Sequence, residues 1–221
     1  MTIAIIALNV AAWLFELAHG VDLVALDYGL IPSWFVRGMR EGPIVVPGIG
    51  AALLHQEVPA PWTVLTSMFV HGSWMHVIGN LWFLWVFGDN VEDALGPVRF
   101  PLFYLVCGVA AALAQVLASV HSTAPMVGAS GAIAGVLGAY LVLYPRAKVR
   151  CVWVLIVFVT FVRVPAWLLL GLWFVSQFLL PLGSGIAWMA HVSGFVVGAA
   201  LVLVFARPRR PPGVAAAWNG R

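Results

Sequence analysis

Four side chains carry most of the polar chemistry this chain keeps within its apolar stretches: His76, Asn80, Ser130 and His191. A serine hydroxyl becomes a nucleophile when a neighbouring base takes its proton. His191 is the only histidine after His121, and imidazole has a neutral, basic form near pH 7. His76 and Asn80 are spaced i, i+4, so on a helix both point the same way. Asn80 has two amide hydrogens to donate and His76 has one. With the backbone N–H of Ser130 at a helix N-terminus, they suit the stabilisation of an oxyanion. No acidic residue falls beside them, so the expected unit is a Ser–His dyad and not a triad. Each residue has a plainer role when taken singly. A helical serine bonds its own i−4 carbonyl, and a lone intramembrane His or Asn can simply join helices.

The elements that must position these groups are set by composition. Of 221 residues, 63% are hydrophobic and 9% are charged. A soluble domain carries roughly 25% charge, so this is an integral membrane protein of one domain. The net charge of +3 includes no basic run that could grip nucleic acid. Cys107 and Cys151 are isolated in apolar stretches and read as small buried hydrophobes.

The expected fold is an all-α membrane protein with six transmembrane helices, at about 2–18, 74–93, 99–119, 127–144, 165–181 and 186–206. The first has no positive n-region and no cleavage site, so it reads as a span and not as a signal peptide. A long external loop, 19–73, joins the first two helices. It is rich in Pro and Gly and holds Asp22, Asp27, Glu41 and Glu57. Residues 149–162 are apolar but fall short of the roughly 20 needed to cross a bilayer, so they read as an interfacial or re-entrant segment. The domain is therefore 1–206, and 207–221 is a basic tail expected to be disordered. With six spans, Arg99, Arg146, Lys148, Arg150, Arg163 and the tail arginines share one side, which the positive-inside rule makes cytoplasmic. Only Arg37 and Arg40 fall on the other. A seventh span would move Arg163 and the tail outside.

In that topology the second, fourth and sixth spans enter from outside. His76, Asn80, Ser130 and His191 then all lie within roughly 10 Å of the outer surface, at 1.5 Å rise per residue. Independent structural polar groups have no reason to share one level, whereas a water-accessible active site does. An ionisable residue inside a span is a functional hypothesis by default. Glycines supply the means of approach. Gly131, Gly135 and Gly138 follow Gly128 and Ser130 in a near-helical row, while Gly194 and Gly198 share a face with His191. Small residues let helix backbones approach closely in lipid, which brings Ser130 and His191 within hydrogen-bonding reach.

His76-x-x-x-Asn80, Gly128-Ala129-Ser130-Gly131 and His191 with Gly194-x-x-x-Gly198 together resemble the rhomboid family of intramembrane serine proteases. So do His71-Gly72-Ser73-Trp74-Met75-His76 and Phe87-Gly88-Asp89-Asn90-Val91-Glu92. The resemblance runs from about Trp62 to Leu203. It implies Ser130 as nucleophile, His191 as general base, and His76 and Asn80 as oxyanion donors. It implies transmembrane protein substrates cut near the outer face, and neither metal nor cofactor. Two positions depart from the pattern. Many relatives have Trp-Arg where this chain has Trp62-Thr63. Some bacterial relatives place an aromatic residue against the catalytic histidine where this chain has Ala134.

The leading expectation is thus a serine-type endopeptidase acting within a bacterial inner membrane, multi-pass, with both termini cytoplasmic. Its partners are membrane-protein substrates and lipid. The alternative is a non-catalytic rhomboid-like protein that binds membrane clients, which predicts a missing Ser or His. A transporter predicts inverted repeats and charges near the midplane, and neither is present. Among the histidines outside the proposed dyad, His71 is expected to brace a loop and His121 to be an exposed linker residue. The fifth span and Pro181–Gly185, which border His191, are candidate moving parts.

Overall fold

A computed structural model describes residues 1–46, 50–155, 158–179 and 187–206. Helix α1 (Thr2–His19) is followed by two short helices, α2 (Val21–Tyr28) and α3 (Pro32–Arg37). A two-stranded antiparallel hairpin, β1 (Glu41–Val46) and β2 (Gly50–His55), and a short helix α4 (Ala60–Thr66) come next. Then follow α5 (Trp74–Leu95), α6 (Arg99–Ala118) and α7 (Ser130–Leu143). A second antiparallel hairpin, β3 (Lys148–Leu155) and β4 (Phe158–Pro165), leads to α8 (Ala166–Ser176), a 3-10 turn at Gln177–Leu179, and α9 (Trp188–Phe205). The basic tail from 207 and the Pro181–Gly185 segment lie outside the described residues.

Helices α1, α6 and α9 are each long and apolar enough to cross a membrane. Helix α5 is longer, at 22 residues, but carries Asp89, Glu92 and Asp93 near its end. Large side chains such as Ile3, Trp82, Leu117 and Leu203 are exposed, as expected when the surrounding solvent is hydrocarbon. On α6 the buried positions are Phe100, Phe103, Tyr104, Cys107, Gly108, Ala111, Ala112 and Val116. That is one stripe at 3.6-residue spacing facing the core.

Helix α7 differs from the others. All ten residues from Gly131 to Tyr140 are buried, so it is apolar all round because protein surrounds it. Its 14 residues span about 21 Å, less than the roughly 30 Å of a hydrocarbon core. A helix this short and central leaves one end recessed among its neighbours, and Ser130 stands at its N-terminal end.

The fit of α7 against α9 depends on glycine. A Cβ on Gly194 would overlap the carbonyl oxygen of Gly131, one on Gly198 that of Gly135, and one on Gly138 that of Phe195. Backbone lies directly on backbone along this seam. Gly131 and Gly135 also face α6, where Ala111 and Cys107 fill the space that a Cβ would need.

The connection between α1 and α5 is folded and pinned. The Gln56 amide donates to the carbonyls of Leu26 at 2.9 Å and Gly29 at 2.8 Å. Leu30 and Met126 exchange two backbone bonds, and the Gly128 N–H donates to the Ser67 carbonyl at 2.8 Å. These bonds fix the segment that runs into Ser130. Thr63 is buried, with its hydroxyl donating to the Ala60 carbonyl at 2.6 Å.

Candidate active site

Helices α5, α7 and α9 begin, and α6 and α8 end, at the same end of the bundle. The first residue of α7 is Ser130, and His191 is the fourth residue of α9. The Ser130 hydroxyl lies 2.8 Å from Nε2 of His191. On the other side of the ring, Nδ1 lies 2.8 Å from Oε1 of Gln177.

Gln177 assigns the proton. Its Nε2 lies 3.0 Å from the Trp173 carbonyl, to which it donates, and 3.2 Å from the Ser176 hydroxyl. A carbonyl only accepts, so the amide nitrogen must face it. The amide oxygen is then left to face His191, whose Nδ1 carries the hydrogen. This assignment follows from the hydrogen-bond network. His191 Nε2 is consequently the lone-pair nitrogen and accepts the Ser130 O–H. Trp173 adds a tilted ring contact to His191, with centroids 6.1 Å apart.

The first turn of α9, which carries the histidine, is also held through its backbone. The first four N–H groups of a helix lack intrahelical partners. At α9 the N–H of Ala190 donates to Oε1 of Gln115, on α6, at 3.2 Å. Gln115 and Gln177 are polar residues in apolar helices near the level of Ser130. The depth criterion that singled out His76, Asn80, Ser130 and His191 applies equally to these two glutamines, which the motif-based reading passed over.

His76 lies opposite. Ser73 caps α5, its hydroxyl accepting the His76 N–H at 3.2 Å. The Gly72 N–H donates to His76 Nδ1 at 3.4 Å, so the ring hydrogen belongs on Nε2. A Cβ on Gly128 would come within 2.6 Å of that Nε2 and 3.6 Å of the Ser130 hydroxyl. Gly128 adopts φ +125°, a conformation glycine reaches without steric cost. Its missing side chain is the space between the two groups. Asn80 is 8% exposed, and its Nδ2 has no hydrogen-bond partner among the described residues. A buried donor left open is costly unless something fills it. His76, Asn80, Ser130 and His191 all line one cavity of about 1010 Å³.

Behind His76, His71 is fully buried, and its ring meets His76 edge-on at 5.1 Å. Both carboxylate oxygens of Glu16, on α1, accept the His71 N–H, at 3.0 and 3.1 Å. Burial, aided by His76, pushes the His71 imidazole down to about 4, although the Phe69 carbonyl works against the shift. His71 therefore stays neutral near pH 7 and braces the loop that leads into α5. His121 is exposed.

The Rhomboid domain family profile matches residues 59–208. The chain belongs to the rhomboid family. Rhomboid-like protein 11, chloroplastic, of Arabidopsis thaliana is 40% identical over 90 residues, covering 41% of this chain and 32% of that protein. Rhomboid protease GluP of Bacillus subtilis is 41% identical over 80 residues, covering 36% and 15%. Rhomboid protease GlpG of Yersinia pestis is 28% identical over 139 residues, covering 62% and 45%. The matched stretches thus span less than half the length of these relatives.

Within this rhomboid, Ala134 is fully buried in the core. The support that an aromatic at that position would give to His191 comes here from Trp173 on α8 and from Gln177 in the 3-10 turn after it. Buried Thr63 likewise offers no exposed anchor, and Gln56 pins the same connection instead.

Proposed function

We propose that this rhomboid is an intramembrane serine endopeptidase working through a Ser130–His191 dyad. The observation that supports this most is the 2.8 Å bond from the Ser130 hydroxyl to His191 Nε2, with the opposite ring nitrogen tied to Gln177. In this reading Ser130 Oγ attacks the carbonyl carbon of a substrate peptide bond, and its proton passes to His191 Nε2. Negative charge develops on the carbonyl oxygen. It is received by His76 Nε2–H, by the open amide of Asn80 and by the Ser130 backbone N–H. The intermediate collapses as His191 returns the proton to the leaving amine. An acyl group remains on Ser130, and water activated by His191 releases it.

The proposed topology has six spans, α1, α5, α6, α7, α8 and α9, with the basic end cytoplasmic and both termini on that side. This matches residence in a bacterial inner membrane. The cavity would then open near the outer face, within reach of water. The substrates are single-span membrane proteins whose helix unwinds locally, because a helical peptide bond is sterically hidden from Ser130.

The test is cleavage of a single-span reporter by purified protein in vesicles. Wild type should yield two fragments. Ser130→Ala should yield none while retaining the wild-type melting temperature. Equal cleavage by both would remove Ser130 from the reaction. Intact reporter co-purifying with wild type, without fragments, would favour the client-binding alternative.

A further inference from the structure

The β3–β4 hairpin lies at the end of α7 away from Ser130, and its base is tied to that end. The Ala166 N–H donates to the Ala147 carbonyl at 2.8 Å and the Trp167 N–H to the Pro145 carbonyl at 3.0 Å. Its register pairs Arg150 with Arg163, Lys148 with Pro165, and Val152 with Phe161. Side chains alternate along a strand, so Lys148, Arg150 and Arg163 share one face with Val152, Phe161 and Val159. All six are exposed. The opposite face holds Val149, Cys151, Val162 and Val164, half-buried near the base, and Trp153 and Thr160, exposed farther out; Val149 packs against the main core. At its base the ribbon turns one face to the protein, while the other face is exposed at Lys148, Arg150, Val152, Val159, Phe161 and Arg163.

That free face is organised along its length. Next to the bundle are three cations; farther out are exposed apolar side chains, with Phe161 at 67% and Val159 at 64%. Like charges directly opposite each other on a ladder are destabilising, yet Arg150 and Arg163 are direct partners. No ion pair among the described residues relieves them. Asp89 and Asp93, at the same end of the bundle, do not pair with them, and no Asp or Glu follows Asp93 in the sequence. An anionic partner outside the chain would relieve this repulsion.

We propose that this face docks on the cytoplasmic leaflet. Lys148, Arg150 and Arg163 would bind the phosphate-bearing headgroups of anionic phospholipid, while Val152, Val159 and Phe161 enter the acyl boundary. Basic residues beside a span on the cytoplasmic side are attracted to the negative surface potential of anionic lipid. Apolar side chains beyond them give the interfacial arrangement in which a charged part stays in the headgroups and an apolar part sinks below. The inference needs the basic end of the bundle to face the cytoplasmic leaflet. It does not depend on proteolysis.

The test is lipid titration of the full-length protein in a neutral detergent, read by native mass spectrometry with phosphatidylglycerol or phosphatidylcholine. Wild type should bind phosphatidylglycerol in clear preference, and raising the salt from 50 to 500 mM should weaken that preference. Lys148→Gln/Arg150→Gln/Arg163→Gln should weaken phosphatidylglycerol binding tenfold or more. Arg37→Gln, which removes an exposed charge at the opposite end of the bundle, should retain it. Phe161→Ser, with the charges intact, should weaken both lipids. Full phosphatidylglycerol preference in the triple variant would overturn the proposal, as would a salt-insensitive preference in wild type. Abolition of lipid binding by millimolar inorganic phosphate would mean that a free anion occupies the face, and would overturn it too.

Discussion

At the scale of single residues, Gln177 decides which proton His191 holds. A Ser–His pair without an acid needs some other group to fix the tautomer, and an amide can do so without adding charge. Gln177→Leu should lower kcat by roughly 10–100-fold, the worth of one hydrogen bond to a group that becomes charged, about 1.5–3 kcal/mol. KM should change little. Gln177→Glu keeps an acceptor at Nδ1 and adds a negative charge, which favours the protonated ring. Its activity should exceed that of Gln177→Leu, and the acid limb of its kcat/KM profile should move to higher pH. Equal pH profiles for wild type and Gln177→Glu would assign Gln177 a packing role only. His71 makes a second prediction. Its folded-state value, about 4, lies below the ordinary 6.5, so the unfolded chain binds the extra proton between those values. Stability from this group is complete above pH 6.5 and is lost as pH falls toward 4. The melting temperature in detergent should drop over that window, and drop less in His71→Asn.

At the scale of elements, the site depends on the distance between α7 and α9. Gly194→Ala would drive a Cβ into the Gly131 carbonyl, with no flexible side chain to give way. It should destabilise the protein by about 1–3 kcal/mol, as overpacking does, and reduce cleavage by separating Ser130 from His191. Gly171→Ala on α8 is the matched control, since nothing lies within 4 Å of its added Cβ. It should be neutral or slightly stabilising, given the better helix propensity of alanine. Thermal unfolding and reporter cleavage on both variants check the pair. The α7–α9 seam was legible in the sequence because small residues at i, i+4 spacing in a span have few other uses. The hairpin at 148–165 was not. Its run of β-branched residues was too short for a span, and apolar periodicity alone does not separate a strand pair from a re-entrant segment. The folded content of 19–73 was also hidden, because its short helices are held by tertiary bonds such as those of Gln56 and not by local pattern.

At the scale of the whole molecule, the polar residues at one end and the basic residues at the other give the bundle a direction. That direction could be read from the sequence, because the charge asymmetry and the shared depth of Ser130, His191, His76 and Asn80 are both properties of order along the chain. The roles of Gln115 and Gln177 could not be assigned that way. They depend on which atoms face His191 and Ala190 across helix boundaries, and no sequence spacing records that. Under the proposed dyad, the short central α7, the open Asn80 amide and the cavity around Ser130 would leave the serine reactive toward serine-directed electrophiles although apolar helices surround it. Labelling with a fluorophosphonate probe, followed by peptide mapping, tests this most directly. Folded wild type should label at Ser130 alone, Ser130→Ala should not label, and His191→Ala should label far more slowly. A folded wild-type protein that stays unlabelled, or a label that persists in Ser130→Ala, would contradict the proposed dyad.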